Sequence, residues 1–495
     1  MTARVISVFG AGLLAAAMGL SAAQAAKDSV TIGLQLEPPH LDPTAGAAGA
    51  IDDITYANVF EGLTRINKNG AVLPALAKSW EISDDGLTYV FTLNTGVKFH
   101  DGTEMNADDV VFSFERILAE DSVNAQKALY AAIDSVSATA ADTVTMKLKQ
   151  PNGNMLFNLG WGDAVIVAPE SADNNKTNPV GTGPFVFDKW NKGDSIELKR
   201  NDNYWGPEKV LASAKFRIIS DPAAAFAALQ AGDVDAFPTY PAPENLPQFD
   251  ADPRFKVVVG STEGETILST NNTMPPLDNV LVRRAVAHAI NRQEIVDGAM
   301  FGYGTPIGTH FAPHHPAYID LTGNSNYDPE KAKALLAEAG LADGFEATLK
   351  LPPPSYARRG GEIIAGQLRD VGITVEIVNL EWAQWLDEVF KQTNYHFTIV
   401  SHTEPLDIGI YARDTYYFNY QSDAFKSVIE QLNGTTDQDA RYKLYQSAQT
   451  ILSEDAVNGF LFQLAKTGVW AAGLEGLWEN SPVQGVDLTG VSWSN

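Results

Sequence analysis

The chain has 495 residues, contains no cysteine and carries a formal net charge of −26. The lack of cysteine excludes disulfide bonds, thiolate metal sites and a cysteine nucleophile, and the acidity disfavours nucleic acids and anionic membranes as partners because like charges repel. With 45% hydrophobic and 19% charged residues the composition is globular, and the length predicts two large lobes or about three domains at roughly 150 residues each.

The N-terminus has the layout of a secretory signal peptide. Arg4 precedes an apolar run over 5–20, and small residues follow up to Ala25, which predicts a signal peptide over 1–25. No later apolar run reaches the roughly 18 residues of a membrane-spanning helix. Because no cysteine is available for lipid anchoring, we expect a soluble, freely diffusing periplasmic protein.

Helix and strand signals interleave along the rest of the chain. Asn106 has the position of a helix cap, and segments 221–232 and 328–340 each begin with Asp-Pro and end with Gly. Alternating apolar residues at 144–148 and 374–378 are typical of half-buried strands. The sequence therefore predicts an α/β protein with mixed sheets.

The stretch NPVGTGPF at 178–185 resembles a phosphate-binding loop only in its glycines. Such a loop needs Gly-Lys-Ser/Thr at the start of a helix, and this stretch offers neither the lysine nor the helix. Because alternating apolar residues follow, we interpret it as a tight turn that starts a β-hairpin.

Two cations occupy an unusual place at 355–366. Ser355 is the predicted helix cap, which places Arg358 and Arg359 in the first helical turn. The helix dipole opposes each cation there by roughly 0.3 to 1 kcal/mol. We therefore expect an anionic partner, which is either a ligand or a salt bridge.

Several motifs follow one another in a fixed order over nearly the whole mature chain. They are EPPHLDP (37–43), FEGLT (60–64), LPALAKSW (73–80), SDDGLTYVFTL (83–93), VKFHDG (97–102), ADDVVFSF (107–114), NPVGTGPF (178–185), RNDNYW (200–205), LQAGDVD (229–235), VRRAVAHAINR (282–292) and KAKALLAEAG (331–340). In these motifs the sequence resembles the bacterial extracellular solute-binding proteins of family 5, the periplasmic peptide- and nickel-binding receptors of ABC importers.

The resemblance implies a two-lobe periplasmic binding protein of type II, cluster C, with an extra domain in the first lobe. Lobe 1 would comprise 26–65, 179–280 and 459–495, the extra domain 66–178, and lobe 2 281–458. It also implies a monomer without a cofactor, which closes over a solute and presents it to an inner-membrane permease.

The resemblance also implies roles for single residues. Arg358 or Arg359 would bind the carboxylate of a peptide, and Glu404 would bind its ammonium group. Asp407 matches the Asp of an Asp-Pro pair in the peptide-binding relatives. The order Glu-Pro-Leu-Asp at 404–407 departs from their pattern, and His402 replaces an apolar neighbour.

Three further residues are candidates for contact with a ligand. Trp382 and Tyr416 lie among aromatic residues that suit the wall of a cleft for a small amphipathic solute. Such residues more often pack in the core. Gly46 belongs to a Gly/Ala-rich segment that would place bare backbone at the lobe interface, or simply connect two elements.

His310, His314 and His315 have a spacing that metal sites use. No carboxylate accompanies them in obvious register, so we predict no metal site. The chain also lacks a Gly-x-Ser-x-Gly elbow and a His-Glu-x-x-His motif, which disfavours a secreted enzyme. The sequence thus predicts a receptor for a dipeptide or short peptide. The alternative is the same clamp for a nickel chelate, an oligosaccharide or an amino-acid-derived metabolite.

Overall fold

A computed structural model of the protein describes residues 27–46, 48–207, 211–435 and 437–494. The predicted signal peptide over 1–25 lies outside these residues. Within the described residues, no helix combines the length and the apolar composition needed to cross a bilayer.

The strands, in chain order, are β1 (Ser29–Leu34), β2 (Thr64–Ile66), β3 (Val72–Pro74), β4 (Ala77–Ile82), β5 (Thr88–Leu93), β6 (Ile133–Ala140), β7 (Thr143–Leu148), β8 (Phe185–Asn191), β9 (Ser195–Arg200), β10 (Ser213–Ile218), β11 (Ala236–Phe237), β12 (Phe255–Thr270), β13 (Thr305–Pro306), β14 (Phe345–Leu351), β15 (Ile373–Asn379), β16 (Phe397–His402), β17 (Asn458–Ala471), β18 (Leu474–Glu475) and β19 (Ser492–Trp493). The helices are α1 (Gly49–Thr55), α2 (Ala107–Leu118), α3 (Met155–Asn158), α4 (Pro222–Ala231), α5 (Leu246–Asp250), α6 (Val280–Ala289), α7 (Arg292–Met300), α8 (Pro329–Glu338), α9 (Ser355–Asp370), α10 (Trp382–Trp385), α11 (Asp423–Gly434) and α12 (Gln438–Glu454).

The predicted helix starts are confirmed. The side chains of Asn106, Asp221 and Asp328 each accept a hydrogen bond from a backbone N–H in the first turn of α2, α4 and α8. These bonds satisfy N–H groups that have no partner inside the helix. The alternating segments at 144–148 and 374–378 also lie in strands, β7 and β15.

A mixed sheet of 11 strands runs through the described part of the chain. Its order is β15-β14-β16-β12-β17-β11-β1-β10-β9-β8, and β13 also pairs with β17. The pairs β14–β15 and β1–β10 are parallel, whereas β12 is antiparallel to both β16 and β17. The predicted α/β class with a mixed sheet is confirmed.

β12 is a long strand in the middle of this sheet, and its two parts have different partners. Its residues 255–261 pair with 465–471 of β17, and its residues 265–270 pair with β16. Between Ser261 and Glu265 the register with β17 shifts. Such an irregularity bends and twists a strand pair locally. β12 and β17 therefore belong to both halves of the sheet, and the bend lies between these halves.

A separate four-stranded sheet has the order β4-β5-β7-β6. Its core includes Phe91 and Val144 from the sheet and Val110 and Phe114 from α2, all of which are fully buried. Val110 and Phe114 lie on the apolar face of α2, which packs on the sheet.

The stretch at 178–185 leads into the hairpin of β8 and β9, as predicted. The structure adds a reason for its glycines. A Cβ at Gly181 would lie 2.0 Å from the carbonyl oxygen of Val59, and one at Gly183 would lie 2.5 Å from that of Asn58. The glycines therefore permit a close approach of two backbone segments.

Candidate ligand-binding cleft

A cavity of about 120 Å³ lies where the segment after β1 meets the segment after β16. One wall comes from Gly46, Gly49, Asp52, Gln126, 161–163 and 483–484, and the opposite wall comes from 403–405. The predicted residues Gly46 and Glu404 both line it, from opposite walls. We call it the acidic cavity because Asp52, Asp163 and Glu404 also face it.

Local backbone structure positions the two aspartates. Asp52 lies in the first turn of α1, and Asp163 lies in a 3-10 turn over Gly162–Ala164. A Cβ at Gly162 would lie 2.0 Å from Oδ1 of Asp52, so only glycine lets the turn approach this carboxylate. The side chain of Asn124 fixes the turn, since its Nδ2 donates to the carbonyl oxygen of Asp163 at 2.8 Å.

The acidic cavity contains polar atoms that lack partners. Oδ1 of Asp52, Oδ1 of Asp163 and Nε1 of Trp161 are buried and have no hydrogen-bond partner among the described residues. Burial raises the pKa of Asp163 to about 7. Burial also raises the pKa of Asp52 well above its ordinary value, and the charge of Asp163 adds to this effect. Buried carboxylates of this kind are stabilised by a proton or by a cation.

A second cavity of about 330 Å³ extends toward the bend in β12 and β17. It shares Thr403, Val483 and Gln484 with the acidic cavity. We call it the lysine cavity, because Lys466 is the one cationic residue among the described residues that line the two cavities. Burial lowers the pKa of Lys466 to about 8, and its Nζ donates to the carbonyl oxygen of Trp478 at 2.7 Å.

Asp407 and His402, two predicted ligand contacts, belong to a buried network instead of the acidic cavity. Oδ1 of Asp407 lies 2.7 Å from Nε2 of His310, and its Oδ2 lies 3.4 Å from Nδ1 of His402. The remaining ring nitrogens lie 3.1 Å from the hydroxyl of Tyr411 and 2.9 Å from that of Tyr417. Burial alone would raise the pKa of Asp407, but His310 and His402 hold it well below its usual range. The network fixes the end of the loop that carries Glu404.

The three histidines that the sequence groups together are separated in space. His310 bonds to Asp407, whereas His314 Nε2 lies 2.6 Å from Oε1 of Glu263 and His315 packs on Phe311. A different set, His310, His402 and Asp407, brings its possible metal-ligand atoms within 4.8 Å of one another. Both histidines contact the carboxylate of Asp407, and the other nitrogen of each ring contacts a tyrosine hydroxyl.

The two arginines lie in the first turns of α9, as predicted, but Ser355 is not the cap. The helix begins at Ser355, its cap position is Pro354, and no side chain caps it. Arg358 has the anionic partner that we expected, since its Nη2 lies 3.3 Å from Oε1 of Glu381. Its Nε is buried without a partner. Arg359 lies over the ring of Phe301 at 5.0 Å, and neither arginine lines the acidic or the lysine cavity.

The aromatic candidates lie apart from these cavities or outside the description. Tyr416 is half-buried and packs among the rings of Tyr417, Phe418 and Phe390. The backbone of Trp382 begins α10, but its side chain lies outside the described part of the protein.

Asp52, Trp161, Asp163 and Lys466 are not among the residues predicted from the sequence. Asp163 stands between the apolar segments 155–161 and 164–168. A lone carboxylate in such surroundings is a signal for a buried functional group. Asp52 and Lys466 carry no comparable signal, because their surroundings depend on how distant segments meet.

Comparison with known proteins gives one consistent result. A profile of the middle part of the bacterial extracellular solute-binding proteins of family 5 matches residues 71–423. The dipeptide-binding protein of Escherichia coli K12 is 29% identical over 90% of this chain and 91% of its own length. Heme-binding protein A of Haemophilus influenzae is 29% identical over 85% of this chain and 84% of its own length.

A solved structure agrees with these relatives. It is an ABC transporter-associated periplasmic binding protein of Helicobacter pylori in complex with the peptide STSA. It superposes with a TM-score of 0.79 at 26% identity, and the match covers 95% of this chain and 99% of the other.

Replacing Asp163 by Asn should stabilise the ligand-free protein more at high pH than at low pH. The pKa of this carboxyl rises from 3.8 to about 7 on burial, so the folded state holds the proton more tightly than the unfolded state does. The wild-type free energy of unfolding therefore falls as the pH rises from about 4 to about 7. The advantage of Asp163→Asn should grow by roughly 2 kcal/mol between about pH 5 and about pH 8 in denaturant unfolding.

The exposed turn residue Asp84 offers a matched control, since Asp84→Asn removes the same charge outside the cavity. An equal effect of Asp163→Asn at both pH values would contradict the assignment of a buried, protonated carboxyl.

Proposed function

The chain belongs to the bacterial extracellular solute-binding proteins of family 5, and from this premise we propose that it captures a dipeptide or short peptide and delivers it to the permease of an ABC importer. Proteins of this family serve ABC importers, and the fold is that of type II periplasmic binding proteins. Capture by closure requires that the ligand binds the closed arrangement better than the open one, because equal affinity would shift no population.

One observation carries this proposal. Gly46 and Glu404, which are far apart in sequence, both line the acidic cavity. A solute in that cavity would touch both walls at once. Its binding free energy would then depend on the two walls being close together, which is the condition for a receptor that closes on its ligand.

We propose the lobe boundaries that the sequence predicts: 26–65, 179–280 and 459–495 for lobe 1, 66–178 for the extra domain and 281–458 for lobe 2. Distinct buried clusters support this division. One cluster draws its members from 63–168, and another draws them from 268–462. The second cluster includes Leu268, Leu277, Leu461 and Phe462, which the predicted bounds assign to lobe 1. We therefore propose the bend in β12 and β17 as the hinge, with these residues moving with lobe 2.

Glu404 is our proposed partner for the ammonium group of the ligand. It is exposed, it lines the acidic cavity, and its Oε2 accepts a hydrogen bond from the N–H of Thr403 at 3.2 Å. A charge-assisted hydrogen bond from an ammonium group to this carboxylate would fix one end of a peptide.

Arg358 or Arg359 remains our proposed partner for the ligand's carboxylate. The unpartnered Nε of Arg358 supports this role. A carboxylate there would compete with Glu381 for the guanidinium group of Arg358, whose side chain is 40% exposed.

The alternative is a non-peptide solute such as a nickel chelate, an oligosaccharide or an amino-acid-derived metabolite. One fact favours it: no arginine lines either cavity among the described residues.

We further propose that the protein acts as a monomer in the periplasm, after removal of 1–25, and that it releases its solute chemically unchanged. The named relatives that support this proposal are binding proteins.

A contact between the proposed extra domain and lobe 2 would hold the closed arrangement. Arg441 and Tyr445 of α12 both donate to Oδ1 of Asn154, the latter at 3.2 Å. Arg441 is 4% exposed, and its Nη1 donates to the carbonyl oxygens of Leu432 and Thr435. The contact therefore joins a rigid part of lobe 2 to the start of α3.

Dipeptide derivatives test the two proposed ends of the site. Glu404→Gln should weaken binding of Ala-Ala by roughly 2 kcal/mol or more, because a desolvated ammonium group loses its counter-charge. It should hardly affect N-acetyl-Ala-Ala. The double variant Arg358→Ala, Arg359→Ala should weaken Ala-Ala but not its C-terminal amide. Isothermal titration measures each affinity, and thermal unfolding of the empty variants checks their folding. Unchanged affinity of either variant for Ala-Ala would refute that residue's role.

Asn154→Ala should weaken the binding of every ligand by the same factor, because Asn154 would not contact the ligand itself. The variant removes two hydrogen bonds that would exist only in the closed arrangement, one of them to a charged group, and the expected loss of affinity is roughly 10-fold. The side chain of Asn154 makes no cap bond to α3, so the helix should persist.

Tyr445→Phe removes one of these bonds and should give a smaller loss in the same direction. A loss that differs between two unrelated ligands would instead indicate direct contact with the solute.

A further inference from the structure

We propose that the acidic cavity is a subsite for a cationic side chain, so that the receptor selects ligands whose amino-terminal residue is basic. This inference rests on the proposed function, because it takes Glu404 as the partner of the ligand's ammonium group. It assigns a second cation to Asp52 and Asp163 on the opposite wall.

The main evidence is the state of Asp163. The residue is 7% exposed, it lines the cavity, and its Oδ1 has no hydrogen-bond partner among the described residues. The cavity wall contains no cation within the described chain, and the nearby Lys466 donates to the carbonyl oxygen of Trp478. A buried carboxylate without a partner is costly, so the compensating charge would come from the ligand.

The two aspartates are held in place before any ligand binds. Gly162 lets the 3-10 turn pack against Asp52, and Asn124 holds the carbonyl oxygen of Asp163. Such preorganisation removes part of the entropic cost of binding.

The side chain of Trp161 indicates that the ligand also brings a hydrogen-bond acceptor into the cavity. Its Nε1 is a donor only, it is buried, and it has no acceptor among the described residues. An ammonium or guanidinium group cannot accept this hydrogen bond, whereas the carbonyl oxygen of a peptide bond can. The unpartnered atoms therefore fit a cationic side chain and an adjacent amide of one ligand.

The charges also balance for a basic amino-terminal residue. Asp52, Asp163 and Glu404 bring three carboxyl groups to the cavity. The ligand's α-ammonium group and its side chain supply two positive charges, and one carboxyl group keeps a proton. The raised pKa values of Asp52 and Asp163 agree with such a shared proton.

A matched set of dipeptides tests this subsite by isothermal titration. Norleucine has nearly the shape of lysine without its ammonium group, so Lys-Ala and norleucine-Ala differ mainly in that charge. Ala-Lys moves the charge to the second position. The wild type should bind Lys-Ala roughly 10-fold or more tightly than either of the other two. Asp163→Asn and Asp52→Asn should each largely abolish this preference, and the control Asp84→Asn should keep it.

Equal affinity of the wild type for Lys-Ala and norleucine-Ala would overturn the inference, and so would a preference that persists in both Asn variants. If one variant does not fold, the other carries the test. If no dipeptide binds at all, 1,5-diaminopentane and pentylamine replace the peptides. Binding of the diamine that depends on Asp163 would then keep the subsite while refuting the peptide part of the proposed function. Failure of the diamine as well would refute the subsite.

Discussion

Two long strands, β12 and β17, pair with each other in the middle of the large sheet. The other strands of that sheet lie on either side of this pair. β16 joins the last part of β12, whereas β11 joins β17 near its end, at Val469 and Trp470. The bend between Ser261 and Glu265 lies beside the lysine cavity, which is lined by Thr262 and Glu263. The pairing that joins the two halves therefore also sets where a cleft can open between them.

Buried carboxylates in the cleft fall into two groups with opposite properties. Asp407 is satisfied by His310 and His402, and this network holds the loop of Glu404 in place. Oδ1 of Asp52 and Oδ1 of Asp163 have no partner in the described part of the chain, and both residues line the acidic cavity. Satisfied buried polar groups make a structure specific, whereas unsatisfied ones are candidates for contact with a ligand. The paired carboxylate therefore supports the structure of the site, whereas the unpaired carboxylates would contact the ligand.

Much of the fold could be predicted from the sequence, because its signals are local. The caps at Asn106, Asp221 and Asp328 depend only on neighbouring residues, and so does the alternation in β7 and β15. The site was harder to predict, since it forms where distant segments meet. Glu404 was predicted through family resemblance and Gly46 from its Gly/Ala-rich segment, and both line the acidic cavity. Asp407 is paired inside the protein, and the unpartnered oxygen atoms of Asp52 and Asp163 depend on contacts that the sequence does not show.

Native mass spectrometry of the freshly purified protein can show whether the cleft captures a solute, because a closed cleft retains what it has captured. The account predicts one small solute per chain, positively charged and released unchanged on denaturation. A chain that carries a solute without an amino group, or several molecules at once, would contradict it.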